Sequence, residues 1–168
     1  MNSLIIRAAS VRDVPSIVRI RLRTLNEEEI RGFSSPDSAS TSSTKKMLEI
    51  WGSGNKLKDD AEVFVAEKKG MLIGYMMLKV EGDSGYIDDI VVAKKEQGKG
   101  VGCTLVRYAE ALAKSRNCHI MKTDTAENAD GVPWKSYNFW IKMGYEDTGK
   151  RLPTPYDFRE IPFVKRLK

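Results

Sequence analysis

Apolar residues recur along this chain in two rhythms, and the change from one to the other marks out its elements. Leu4-Ile-Ile-Arg-Ala-Ala9 reads as a first strand. Val14, Ile17, Val18, Leu22 and Leu25 then return at helical spacing. They predict a helix from a cap at Asp13 to about Glu29, with Pro15 in the first turn, where its missing N–H costs nothing. Gly32 to Thr44, GFSSPDSASTSST, has neither rhythm and predicts a loop. Ser43 or Thr44 can cap a second helix through Met47, Leu48, Ile50 and Trp51. Two apolar runs, Glu62 to Ala66 and Leu72 to Val80, flank Lys68-Lys-Gly70 and predict a hairpin. Gly82-Asp-Ser-Gly85 turns into the next strand, Tyr86-Ile-Asp-Asp-Ile-Val-Val92.

After a glycine-rich turn, Val101, Leu105, Tyr108 and Leu112 form the apolar stripe of a helix from Val101 to Ser115, ended by Asn117-Cys118. His119 to Asp124 reads as a fifth strand, Trp134 to Met143 as a helix stopped by Gly144, and Tyr145-Glu146 and Arg159 to Lys165 as the last strands. The order β-α-α-β-β-β-α-β-α-β-β predicts one mixed α/β (α+β) domain over residues 1–168.

Composition narrows the partners. A net charge of +5 favours anionic ligands, but the basic residues are scattered, which disfavours nucleic acid. Lys94, Lys95 and Lys99 gather instead beside the glycine turn. No apolar run approaches a membrane span and the N-terminus lacks a signal-peptide pattern, so no membrane partner is expected. The two cysteines, Cys103 and Cys118, suit a cytoplasmic location. The single histidine, His119, has no second ligand at metal spacing, so no metal is expected.

The chemistry centres on Gln97-Gly-Lys-Gly-Val-Gly102. A strand, a glycine turn and a helix start in that order expose unpaired amides and the positive end of a helix dipole, a place for phosphate. The P-loop pattern is absent, and Gly98-x-Gly100-x-Gly102 lacks dinucleotide-fold spacing.

The stretch Tyr86 to Ala113 resembles the acetyl-CoA-binding core of the GCN5-related N-acetyltransferases, the GNAT superfamily. Its signature Gln/Arg-x-x-Gly-x-Gly/Ala is matched by Gln97, Gly100 and Gly102, one short loop after a strand ending at Val92. Arg7-Ala-Ala-x-x-x-Asp13 is similar to the family's opening strand and helix cap, and Asn138-Phe-Trp-Ile-Lys-Met-Gly-Tyr145 to its late aromatic element. The resemblance implies the GNAT fold, a mixed central sheet flanked by helices, with acetyl-CoA as co-substrate. It implies that the backbone of Ile90, Val91 and Val92 pairs with the pantetheine arm. The amides of Gly98, Lys99, Gly100, Val101, Gly102 and Cys103 would hold the pyrophosphate, with Gln97 at the rim and Asn128 on the cofactor arm.

Acetyl transfer to an amine needs a base for the amine and a proton for the leaving thiolate. Alternation puts Tyr86, Asp88, Ile90 and Val92 on one face. The strand resembles that of polyamine acetyltransferases whose glutamate base falls at Asp88, which implies Asp88 as base, through water; an orienting carboxylate is the alternative. Where the family carries its tyrosine proton donor, this chain has Trp140, which has no acidic proton to give. Tyr137, one turn earlier, is the substitute candidate, with a packed aromatic as the alternative. Cys103 in the first helical turn raises an acyl-cysteine route, set aside because the family transfers directly.

The expected activity is acetyl transfer to a primary amine of a polyamine-like small molecule or to a protein amino group. Glu27, Glu28 and Glu29 could attract such a cation or be a solvated helix end, and the Ser-rich loop could act as a lid or as a plain connection. A homodimer is compatible with this reading. The alternative is a non-catalytic acyl-CoA sensor on the same fold.

Overall fold

The first alternating run becomes β1 (Leu4–Ala8) in the computed structural model, which describes residues 3–24 and 41–168. The chain divides into two compact units, Met1–Lys79 with Asp89–Leu105, and Val80–Asp88 with Val106–Lys168.

In the first unit, β1 pairs antiparallel with β2 (Glu62–Lys68), from Leu4 opposite Lys68 to Ala8 opposite Phe64. β2 turns tightly into β3 (Met71–Glu81). Lys69 and Gly70 take φ of 54° and 74°, the paired positive values a two-residue hairpin needs to match strand twist. The first helix, α1 (Val14–Thr24), starts after a 3-10 turn, Val11–Asp13. Asp13 therefore does not cap α1 as expected. Its carboxylate accepts from the Ser10 N–H at 2.8 Å and from both terminal nitrogens of Arg7 at 2.8 and 3.0 Å. Arg7 also donates to Glu67 at 2.9 Å, so the early Arg…Asp pattern is a staple between β1, the turn and β2. Leu25 and Glu27 to Glu29 lie outside the described residues, as does the Ser-rich segment up to residue 40. The second helix, α2 (Thr41–Ile50), begins earlier than expected, taking in residues assigned to the loop. Val14, Ile17, Val18 and Ile20 of α1 pack with Met47 and Trp51 over Val63, Val65, Tyr75, Met77 and Val91.

In the second unit, the start of β4 (Ser84–Val92) runs parallel to β5 (Ile120–Asn128), which pairs antiparallel along its whole length with β8 (Phe158–Arg166). Two short strands, β6 (Glu146–Asp147) and the unforeseen β7 (Leu152–Pro153), also pair with β8. The strand order is β1-β2-β3-β4-β5-β8-β6, with β7 on β8, a mixed sheet. The long helix α3 (Val101–Ser115) has the bounds its rhythm predicts, but its buried stripe is turned toward Leu105, Val106, Ala109 and Ala113. A Cβ on Gly85 would come within 3.1 Å of the Ala113 Cβ and 2.5 Å of Met121 Sδ, so small residues set how closely strand and helix approach. The last helix, α4 (Ser136–Lys142), ends as expected before Gly144 at φ 84°. Trp140 beside it is 2% exposed and packs edge-on against Tyr145, so it belongs to the core. Cys118 is buried, whereas His119 is exposed. Among the described residues no helix is long and apolar enough to cross a membrane.

Candidate active site

The glycine turn owes its shape to two residues. Gly98 and Gly100 adopt φ of 74° and 85°, in the left-handed region, and a Cβ on either would meet nothing within 4 Å. Backbone conformation, not crowding, therefore demands glycine at both. The first carbonyl to accept from α3 is that of Gly100, bonded by the Thr104 N–H at 3.0 Å and by the Thr104 hydroxyl at 3.0 Å. Among the described residues, the N–H groups of Gly98, Lys99, Gly100, Val101, Gly102 and Cys103 have no backbone acceptor. Six consecutive donors at a helix start form a cradle for an anion. Gln97 does not point into it; its Nε2 donates to the Val92 carbonyl at 2.9 Å and ties the turn back to the strand. Glu96 lies 3.4 Å from both Lys68 and Lys99, and these cations hold its carboxyl below the usual range although residual burial opposes them.

Ile90, Val91 and Val92 lead into this turn at the end of β4, where the Ala93 N–H donates to the Ile73 carbonyl at 2.8 Å. β3 comes close here because residue 74 is glycine: a Cβ would stand 3.0 Å from the Val91 carbonyl oxygen. The register of β4 with β5 covers only Ser84–Tyr86 opposite Ile120–Lys122. The Thr123 hydroxyl then donates to the Ile87 carbonyl at 3.0 Å, satisfying the next buried acceptor with a side chain in place of a strand partner.

Along β4, Tyr86, Ile90 and Val92 are half-buried and Asp88 is exposed, while Gly85, Ile87 and Val91 are buried. The side chain of Asp89 is 9% exposed and accepts from the Tyr75 hydroxyl at 2.8 Å and from Arg21 of α1, which also donates to the Tyr75 oxygen at 3.2 Å. Burial, and then the Asp89 charge, push the Tyr75 hydroxyl well up, so it keeps its proton and donates. Burial works against the charge on Arg21, and Asp89 more than offsets it.

In the second unit the Tyr86 hydroxyl donates to Asp124 of β5. Burial raises its pKa most, and the charges of Asp124, Asp88 and Glu160 raise it further. Asp88 thus belongs to an acidic neighbourhood that sequence reasoning missed. Its one signal was Lys122-Thr-Asp124-Thr, a run of polar residues within a strand.

Tyr137, on α4, donates its hydroxyl to Asp147 at 3.0 Å and packs edge-on against Phe163 at 5.3 Å. That bond to Asp147 is the main cause that raises its pKa. Asp147 also accepts from Arg151 through both oxygens, at 3.0 and 2.9 Å, and from the Gly149 N–H at 2.8 Å; Arg151 leads the causes that hold its carboxyl at about 2. Arg151 reaches the buried Glu127 at 3.0 Å, and Arg159 joins Glu127 at 2.8 Å. Asn128 ends β5, and its Oδ1 accepts from the N–H groups of Asp130 and Val132 at 3.0 and 2.9 Å. Its side chain builds a turn, which leaves the amide nitrogen as what it could offer a ligand. Cys103 is half-buried at the start of α3. Among the described residues no group of three or more His, Cys, Asp or Glu could hold a metal ion.

A mixed sheet, a strand ending in Val92 and six open amides opening a long helix define an α/β fold with an anion cradle. The model of the acetyltransferase (GNAT) family matches residues 22–145, and the chain belongs to that family. It is 33% identical over 92 residues to glucosamine 6-phosphate N-acetyltransferase of Candida albicans. That match covers 51% of this chain and 57% of the relative, so it spans little more than half of that protein's length. The fold is shared with the PaiA N-acetyltransferase of Thermoplasma acidophilum in complex with coenzyme A, at TM-score 0.69 and 15% identity over 98% of this chain and 99% of that one. It is also shared with a GCN5-related N-acetyltransferase of Rhodopseudomonas palustris, at TM-score 0.72 and 18% identity over 99% and 98%.

Proposed function

We propose that the protein is an N-acetyltransferase that uses acetyl-CoA and transfers the acetyl group directly to a primary amine. The observation that carries this reading is the row of six acceptor-free amides from Gly98 to Cys103. Backbone donors in that number suit a pyrophosphate, and the nearby Lys94, Lys95 and Lys99 add positive potential. The backbone of Ile90 to Val92 would bind the pantetheine arm, the Asn128 amide could contact it, and Gln97 braces the turn. The co-substrate supplies a thioester carbonyl for attack.

Asp88 is the base in this reading, taking a proton from the acceptor amine through water; its exposed carboxylate is accessible to solvent. The acidic neighbourhood of Tyr86, Asp88, Asp124 and Glu160 favours a cationic acceptor, a polyamine-like small molecule or a protein amino group. Tyr137 aims its proton at Asp147, which favours a positioning role for it and leaves water to protonate the thiolate. The free thiols Cys103 and Cys118 support a reducing cytoplasm as the setting.

The test is release of free thiol from acetyl-CoA across a panel of diamines, polyamines, amino sugars and peptide amines. Turnover with at least one amine, and at least a 100-fold lower kcat in Asp88→Ala with unchanged coenzyme A affinity, is expected. Cofactor binding with no turnover on any amine would favour the sensor alternative.

A further inference from the structure

Opposed residues in a sheet share a face, and the faces alternate along each strand. On one face of the second unit, Thr125 bonds Ser136, Phe163 packs on Tyr137 and Lys165 reaches Glu110, so α3 and α4 sit there. The opposite face carries Asp124, Ala126 and Asn128 of β5 with Glu160 and Phe158 of β8. Glu160 stands opposite Ala126 on one side and Trp134 on the other, since Pro133 bridges Glu127 and the Trp134 N–H donates to the Ala126 carbonyl at 2.9 Å. Leu152 stands opposite Glu160 on its far side. The neighbouring row joins Val132, Asn128 and Phe158, and Phe158 packs against Trp134 and the stacked ring of Tyr156. Val132, Leu152 and Tyr156 are 58%, 43% and 40% exposed, three apolar side chains open to water around a half-buried indole. Apolar side chains gathered in this way on one face and rimmed by polar groups mark contact with a partner.

The other end of this face is acidic. Asp124 accepts from the Tyr86 hydroxyl, and Asp88 and Glu160 add their charges around it. From Asp124 to Asn128 the strand rises about 13 Å, at about 3.3 Å per residue. A ligand with its ammonium at the acids and apolar groups on Val132 and Tyr156 must span that length. Short alkylamines do not reach both ends, and a free polyamine brings further ammonium groups to Val132 and Leu152, which offer them nothing. An extended peptide of about four residues covers the distance with side chains to spare. The Trp134 indole nitrogen favours the same ligand: it is buried with no acceptor among the described residues, and it can only donate. Turned outward, it would be satisfied by a peptide carbonyl and not by an ammonium. We infer that the acceptor is a peptide presenting its amino terminus, with the amine at the acids around Tyr86 and its apolar side chains on Val132, Leu152 and Tyr156. The inference rests on the acetyl-transfer reading above and narrows its acceptor to a peptidic amine.

The test measures kcat/KM for three acceptors: a pentapeptide with a free amino terminus and two apolar side chains at its far end, the same peptide with serines there, and spermidine. Wild type is compared with the double variant Leu152→Ser/Tyr156→Ser, both positions being exposed; Val132→Ser replaces it should the double variant fail to fold. Wild type should favour the apolar peptide at least tenfold over each of the other two. The preference for the apolar over the serine peptide should fall below threefold in the variant. Turnover fastest on spermidine, or a preference for the apolar peptide that the variant keeps, would overturn the inference. Wild type that transfers to no amine would overturn the acetyl-transfer reading instead. Fluorescence anisotropy of the apolar peptide, labelled at its carboxyl end, then decides the surface: weaker binding to the variant than to wild type upholds it, and equal binding or none rejects it.

Discussion

Gly100 takes a φ of 85° with open space where a side chain would go. Alanine there meets no atom and pays only backbone strain, about 1–2 kcal/mol. If the turn relaxes to avoid that strain, the amides of Val101 to Cys103 lose their common aim. Gly100→Ala should therefore raise KM for acetyl-CoA about tenfold while lowering the melting temperature only a few degrees, read by steady-state kinetics and thermal unfolding. Tyr137 offers the opposite case, a candidate residue with a committed hydroxyl. It donates to Asp147, itself gripped by Arg151. Tyr137→Phe should keep kcat within threefold and cost about 1 kcal/mol of stability in chemical denaturation. A hundredfold fall in kcat at unchanged stability would make it the proton donor.

At the scale of elements, β4 does most to shape the site. β3 reaches it through Gly74, whose missing Cβ would sit 3.0 Å from the Val91 carbonyl oxygen. That neighbour is backbone, so Gly74→Ala must shift β4 itself. The expected result is a raised KM for acetyl-CoA and a lowered melting temperature together, the two measured on the same preparation; a change in stability alone would show that Val91 does not take part in binding. The periodic elements were legible because their patterns are local: α3 has the bounds its rhythm predicts, and the β2–β3 hairpin follows from Lys69-Gly70. The partners of Asp89 were not legible, because Arg21 and Tyr75 are distant from it in sequence. β5 was read short for a related reason: Thr125 to Asn128 lack apolar alternation and are held in the strand by pairing with β8.

For the whole molecule, acid should act through carboxylates paired with arginine. The folded pKa of Asp13 is lowered, chiefly by Arg7, and that of Asp147 is held at about 2, chiefly by Arg151. A depressed folded pKa means the stabilisation is complete above the unfolded value near 4 and lost as pH falls through the folded one. Denaturant unfolding should therefore show stability declining from about pH 4 toward about pH 2, with a shallower decline in Asp147→Asn. The net charge of +5 rises as carboxylates protonate, which steepens the same descent.

The sequence by itself determined the order of most elements, the family resemblance and the glycine turn that opens α3. Glycine conformation, helix rhythm and strand alternation act over a few residues and leave their mark in neighbouring letters. Only the tertiary structure decided which of two adjacent aspartates is paired with Arg21 and Tyr75, where the Tyr137 proton points and which acids surround Tyr86. Each of those depends on a side chain brought from another element, and no local pattern records which partner a strand will meet.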